Sequence, residues 1–396
     1  MASPLQFDET PCIAWMEGGA ACSARWRCER PGPPPSRVVI ADDTLSADRA
    51  YRLACEGTAL LWRGDFQNAR QLVQALARRA DRPPRRPAPK VAADDAPGAA
   101  FHRHRQAQAQ RARVLAMVLI PLDAERAIPL RRAPDVRAAC AQAWGEPEAA
   151  DEDSVVSLRE LLGLISAYEW RRNGVAVAAL GPPPGNRIHP HYGVFSPVRG
   201  EYVDLVAEAP VPKATLSESL AFDIGTGTGV LAAVLARRGL ARVIATDQEP
   251  RALACAAENL ARLQLAERVQ LLQADLYPPG RAPLIVCNPP WLPARPGSPL
   301  ERAVYDEGSA MLLGFLRGLA AHLAPCGEGW LILSDLAEHL GLRGRDELPA
   351  AIADAGLRVL GRLDTRPRHG KAFDAADALH AARAAEVTTL WRLGAA

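Results

Sequence analysis

From residue 220 onward, short apolar runs alternate with amphipathic stretches. The period-2 and period-3.6 spacings predict strands at 220–224, 242–246, 269–273 and 284–287, with helices at 228–238 and 250–263. A helix at 309–323, a strand at 330–334, a helix at 346–355 and two strands near 358–363 and 387–393 complete the series. Strand–helix alternation of this kind predicts an α/β fold, with helices on both faces of a parallel sheet. Ligands of such sheets bind outside the carboxyl ends of the strands, near the point where strand order reverses.

The first half is less regular. Its pattern predicts strands at 37–41 and 58–62, helices at 46–55 and 66–79, and a buried strand at 113–120. On the second helix Ala69, Leu72, Val73 and Leu76 share one face. Ser157-Leu-Arg-Glu160 has the form of a capping box and opens a predicted helix ending near Arg172. Proline-rich stretches at 31–35, 81–99 and 182–185 read as punctuation or exposed linkers. The expected organisation is an irregular segment at 1–36, an accessory α/β domain at 37–150, a helical connector at 151–190 and a second domain at 191–396.

Composition sets limits on this picture. With 396 residues, 48% hydrophobic and 23% charged, the chain is expected to bury real cores rather than stay disordered. No apolar run approaches the roughly 18 residues of a membrane helix, and the first dozen residues lack a basic-then-apolar leader. Eight scattered cysteines include no C-x-x-C pair, which disfavours a zinc site and suits a reducing cytoplasm. His189 and His191 have no cysteine or carboxylate close in sequence and are not read as metal ligands. Net charge is only +2, but residues 63–137 hold 16 basic and 7 acidic residues, a local +9. That stretch, which includes Phe101-His-Arg-His-Arg105, is a candidate for tracking phosphates, although solvated arginine faces are common.

Chemistry concentrates at four predicted strand ends. Asp223-Ile-Gly225-Thr-Gly227-Thr-Gly229 follows the first strand, where glycines permit a sharp turn and a close ligand approach. Val230 breaks the dinucleotide spacing G-x-G-x-x-G, so a nicotinamide enzyme is disfavoured. Asp247 ends the second strand, where an acid can accept hydrogen bonds from ribose hydroxyls or simply cap the next helix. Asp275 ends the third. Asn288-Pro289-Pro290-Trp291 follows the fourth, where paired prolines make a stiff turn that leaves the Asn and Trp unexplained.

Taken together, these features resemble the class I S-adenosylmethionine-dependent methyltransferases, in the branch with an Asn-Pro-Pro-aromatic motif. HemK-like protein-glutamine, adenine-N6 and guanine-N2 ribosomal RNA methyltransferases belong to that branch. The resemblance covers about residues 190–396 and implies a Rossmann-like seven-stranded sheet with an antiparallel last strand. It implies that Asp223, Gly225, Gly227 and Gly229 hold the methionine part and ribose side of S-adenosylmethionine. Asp247 would hold the ribose hydroxyls, and Asp275 with Leu276 the adenine. Asn288, Pro289 and Trp291 would hold the acceptor, and Phe195, Pro197 and Arg199 would line its pocket. Trp291 stands where tyrosine is commoner in the family.

These roles imply N-methyl transfer to a planar amino nitrogen. An RNA base is the leading acceptor, because some RNA methyltransferases carry a degenerate α/β domain ahead of the catalytic one. The alternatives are a protein amide, a small molecule, or a cofactor-binding scaffold without turnover. Oligomeric state is not legible.

Overall fold

A computed structural model of the chain describes residues 11–29, 32–82, 98–148, 151–198, 200–297, 300–368, 374 and 377–396. The chain divides into two compact units, one within residues 1–168 and one formed by Glu169–Ala396 with a short stretch ending at Phe101.

The first unit holds β1 (Cys12–Glu17), β2 (Ala20–Arg27), β3 (Arg37–Ala41), α1 (Ala47–Cys55), β4 (Thr58–Trp62), α2 (Phe66–Ala80), α3 (Ala99–Leu115), β5 (Val118–Leu122), α4 (Arg137–Trp144) and β6 (Ser154–Ser157). Its six strands form one sheet in the order β1-β2-β6-β5-β4-β3. Helix α5 (Leu158–Asn173) continues the chain into the second unit. Side-chain caps start two of the helices. Ser46 accepts from the Arg49 N–H before α1, and Asp65 accepts from the Gln67 N–H at 2.8 Å before α2. Ala69, Leu72, Val73 and Leu76 are all buried.

Three expectations need correction here. Residues 12–27 form an antiparallel hairpin at the sheet edge rather than an irregular segment. Residues 113–115 end α3, and the strand starts only at Val118. An apolar run of this length has no period of its own, and the Ala-, Gln- and Arg-rich sequence before it carries the helix into the run. The capping box does not form: Ser157 Oγ is buried without a partner, and Glu160 Oε1 accepts from the Glu29 N–H at 2.8 Å.

The second unit opens with a short ribbon, β7 (Val175–Ala176) and β8 (Arg187–Ile188), and then α6 (Glu201–Glu208). There follow β9 (Leu220–Ile224), α7 (Val230–Arg237), β10 (Arg242–Asp247), α8 (Pro250–Arg262), β11 (Val269–Gln273) and β12 (Ala282–Cys287). The series ends with α9 (Ala310–His322), β13 (Leu323–Ser334), α10 (Leu336–His339), α11 (Glu347–Asp354), β14 (Leu357–Thr365), α12 (His380–Ala385) and β15 (Thr388–Ala395).

Seven strands make one sheet in the order β11-β10-β9-β12-β13-β15-β14, and β15 is antiparallel to both its neighbours. Successive strand residues face opposite layers. Ala221, Leu284 and Trp330 join the core containing α6 and α7, and Phe222, Ile285 and Leu331 join the core containing α9 and α11. Strand order reverses between β9 and β12. Their carboxyl ends therefore border the crevice where such sheets bind ligands.

Candidate functional site

The turn after β9 is built on glycine. Gly225, Gly227 and Gly229 have φ of 73°, 54° and 80°, in the left-handed region. The N–H groups of Gly225 and Thr226 both donate to the Thr246 carbonyl, at 2.9 and 2.8 Å, which fixes the turn to the end of β10. A Cβ on Gly229 would lie 3.3 Å from the Ala256 Cα of α8, so this glycine lets the two helices approach. At Gly227 a Cβ would meet nothing within 4 Å; this is the open point of the turn.

Asp223 lies beneath the turn, 1% exposed. Its Oδ2 accepts from the Thr226 hydroxyl at 2.6 Å and the Ala232 N–H at 3.0 Å. Its Oδ1 is buried with no partner. Burial raises this carboxyl to about 6, against the two hydrogen bonds, which favour the charged form. Tyr202 on α6 is close enough for the Asp223 charge to add to the burial that raises its phenol. A buried oxygen without a donor is uncommon and marks a place for one.

Asp247 turns its carboxylate back toward the glycine turn. Oδ2 accepts from the Gly227 N–H and Oδ1 from the Glu249 N–H, each at 3.0 Å. Burial raises its pKa. Asp275, two residues past β11, is exposed. Leu276 has φ 70°, and its carbonyl accepts from the Thr246 hydroxyl at 2.6 Å. That bond holds the left-handed turn beside the end of β10.

The fourth motif lies across the reversal point. Cys287, the last residue of β12, is in register with Ile224 of β9 and Leu331 of β13. Asn288 therefore stands level with Gly225 on the neighbouring strand. The Trp291 indole N–H donates to Asn288 Oδ1 at 2.9 Å, and the ring packs against both cores. Pro289 is buried. Beyond the motif, Leu292 and Tyr305 bridge the returning chain, and the buried Asp306 caps α9 by accepting from Met311 and Leu312 N–H. The Met311 Cε lies 2.5 Å from where a Cβ on Gly225 would be, so α9 starts against the glycine turn.

The segment before α6 is anchored by contacts that sequence reading missed. Asn259 is fully buried on α8. Its Oδ1 accepts from the His189 N–H at 2.7 Å, and its Nδ2 donates to the carbonyls of His189 (3.3 Å) and Thr228 (3.1 Å). One amide thus joins this segment to the glycine turn. The signal was present, since Asn259 occupies a core-facing position among Ala252, Cys255, Ala256 and Leu260. His191 bonds Glu258 at 2.8 Å. Burial works against ionisation of that carboxyl, yet His191, Arg171 and Arg262 hold it down at about 2. Phe195 is half-buried and Pro197 buried; Arg199 lies outside the described residues.

In the first unit, six arginines of the basic stretch are in ion pairs. Arg63 pairs with Glu17, Arg79 with Asp48, Arg111 with Asp81, Arg126 with Asp151, Arg132 with Asp65 and Arg137 with Asp135, at 2.6–2.9 Å. Three of these acids, Glu17, Asp48 and Asp151, lie outside the stretch and offset part of its local +9; most of the surplus is left.

Residues 185–334 match the methyltransferase small domain family. The chain is 37% identical over 172 residues to the release factor glutamine methyltransferase of Cereibacter sphaeroides, covering 39% of this chain and 60% of the relative. It is 29% identical over 189 residues to the tRNA1(Val) (adenine(37)-N6)-methyltransferase of Shewanella loihica, covering 44% of this chain and 72% of the relative. A solved structure of the ribosomal protein L11 methylase of Lactobacillus delbrueckii subsp. bulgaricus is 19% identical, with TM-score 0.35, covering 54% of this chain and 88% of that one. The chain spans 60% and 48% of the lengths of two release factor relatives. The matched residues 185–334 contain the glycine turn, both following acids and the Asn-Pro-Pro-Trp motif. Among the described residues, no helix is long and apolar enough to cross a membrane.

Proposed function

We propose that the methyltransferase small domain is an S-adenosylmethionine-dependent N-methyltransferase acting on a planar amino nitrogen. The observation that carries this reading is the register of β9 and β12. It sets the open glycine turn, with Asp223 Oδ1 unpaired beneath it, beside the Asn288 amide on the adjoining strand end.

The residues present suit the cofactor. The unpaired Asp223 Oδ1 suits a cationic amino group or a water held by one, and the open face at Gly227 lets a ligand approach the backbone. Asp247 has lone pairs left for ribose hydroxyls beyond the two backbone donors. Asp275 is open to an adenine amino group, with Leu276 as an apolar wall. When bound, S-adenosylmethionine supplies a methyl group on a positively charged sulfur.

The chain's own work is then mostly positioning, which is worth several kcal/mol. The lone pair of an amide or base amino group is delocalised, so the nitrogen is a poor nucleophile. Asn288 Oδ1 and the Pro289 carbonyl each accept one of its N–H bonds, which turns the lone pair toward the methyl and stabilises charge developing on nitrogen. The proton can leave to water afterwards. The Trp291 ring supplies an apolar surface for a flat acceptor.

An RNA base is the leading acceptor, supported by the first unit's α/β fold and by the positive surplus that its ion pairs leave. A protein glutamine is the second reading, favoured by the 37% identity to a release factor glutamine methyltransferase. Cysteines without a C-x-x-C pair suit a cytoplasmic setting.

Label transfer tests the reading. Purified protein is incubated with methyl-labelled S-adenosylmethionine and extract of cells lacking it. RNase-sensitive label is expected, and protease-sensitive label would select the glutamine reading. Label in neither fraction, with cofactor bound, would leave a small-molecule acceptor or a scaffold. Full turnover by Asn288→Ala would overturn the role of the motif.

A further inference from the structure

Arg343 lies in the loop between α10 and α11, beyond the carboxyl end of β13. It is 7% exposed, yet among the described residues no carboxylate forms an ion pair with it. Its Nη2 donates to Ser309 Oγ at 3.3 Å, and its Nη1 is buried without a partner. Glu338, Glu347 and Asp306 balance its charge only from a distance, and burial outweighs them in lowering its pKa. A buried guanidinium normally fills its donors, because an unmade bond to a buried charged group is costly.

The surroundings say which ligand would fill them. Ser309 starts α9, two residues before the Met311 that touches the glycine turn. Asp306, beside it, hydrogen-bonds through its N–H to the carbonyl of Leu292, the residue after Trp291. Leu340 and Leu342, which flank the loop, pack with Leu292, Leu336 and Tyr305. Arg343 therefore belongs to the wall that continues from Asn-Pro-Pro-Trp, on the β12–β13 half of the crevice. Two residues of the adjoining turn, Gly308 and Ser309, have left-handed φ of 66° and 55°.

We propose that Arg343 is an acceptor-binding residue that receives a phosphate next to the methylated base. The inference rests on the methyl-transfer reading and on its RNA branch. A guanidinium whose Nη1 has no partner can donate to a phosphate oxygen and matches its charge, and the low-dielectric setting strengthens the pair.

The test compares adenosine and guanosine with their 5′-monophosphates, titrated by NMR into the full chain with S-adenosylhomocysteine present. The monophosphates are expected to bind roughly tenfold more tightly. In Arg343→Met the preference should vanish, and in Arg343→Lys it should fall while the charge is kept. S-adenosylhomocysteine binding reports folding of each variant; if Arg343→Met fails that check, Arg343→Lys decides. Equal binding of nucleosides and monophosphates overturns the proposal, as does a preference that survives in the variants. Binding of a glutamine peptide and of neither nucleotide also overturns it, while leaving N-methyl transfer in place. Loss of S-adenosylhomocysteine binding by the unaltered chain would instead sink the methyl-transfer reading itself.

Discussion

The indole N–H of Trp291 donates to the side-chain oxygen of Asn288 at 2.9 Å. The bond closes within a four-residue motif and decides which end of the Asn288 amide faces the indole. An amide can flip, and only its oxygen can accept from an amino nitrogen. One lone pair of Oδ1 holds the indole, and the second is left for the proposed acceptor. Tyrosine at this position would have no ring N–H to offer.

Trp291→Phe keeps a flat apolar ring and removes the donor. Turnover is expected to fall about fivefold, in line with roughly 1 kcal/mol for one hydrogen bond, with S-adenosylhomocysteine affinity unchanged. Asn288→Ala should cost on the order of 10²–10³ in turnover. If Trp291 acts through Asn288, the phenylalanine change should cost nothing more in the Asn288→Ala background. Additive losses in that double-mutant cycle would show that the two side chains act separately.

The proposed role of Asp223 predicts a pH dependence. Burial raises its carboxyl from the ordinary 3.8 to about 6, so the folded chain holds this proton more tightly than the unfolded chain. Its contribution to stability is therefore fully present below the unfolded value and lost as pH rises through about 6. Under the proposed role of Asp223 in holding the amino group of S-adenosylhomocysteine, binding runs the other way, because it would need the ionised carboxylate. Affinity measured calorimetrically should weaken below pH 6, by up to roughly tenfold per unit. Asp223→Asn should bind weakly at every pH; a variant as pH-sensitive as the parent would exclude Asp223 as the source.

Asn259→Ala would leave the His189 N–H and the carbonyls of His189 and Thr228 without their partner. A loss of about 3 kcal/mol in urea unfolding is expected, within the range for breaking a buried network. Cofactor affinity should drop as well, since Thr228 belongs to the glycine turn. A destabilised variant with unchanged affinity would show that the bridge serves folding only.

The turn glycines should separate into two kinds. Gly227→Ala has space for its methyl but must hold a left-handed φ, which costs about 1–2 kcal/mol. It should fold and bind S-adenosylhomocysteine poorly, because the added carbon stands at the open face. Gly229→Ala meets the Ala256 Cα as well as the backbone penalty, and should lose more stability in thermal unfolding. Equal losses from both would contradict the distinction.

The sheet of the second unit was legible because each layer enforces its own period. Val269–Gln273 and Leu220–Ile224 begin and end where the apolar pattern does, and Asp247 caps its strand at the expected edge. The amino-acid order also placed Asp223, the glycines and Asn288 at strand ends, because strand–helix alternation puts every second connection on one edge of the sheet. In the first unit the apolar run at 113–120 had no period to distinguish helix from strand, and the hairpin at 12–27 depends on a distant partner: β6 pairs with β2 across more than a hundred residues.

What the sequence alone determined is the set of local elements and the identity of the strand-end residues, since both follow from periodicity and turn chemistry. Only the tertiary structure decided which groups are satisfied. Asp223 Oδ1 and Arg343 Nη1 are left without partners, Asn259 joins two segments, and the Arg63–Glu17 and Arg126–Asp151 pairs draw on acids outside the basic stretch. Hydrogen bonds and ion pairs act over a few ångströms in space. Charge counted along a chain cannot tell which arginine is already spoken for.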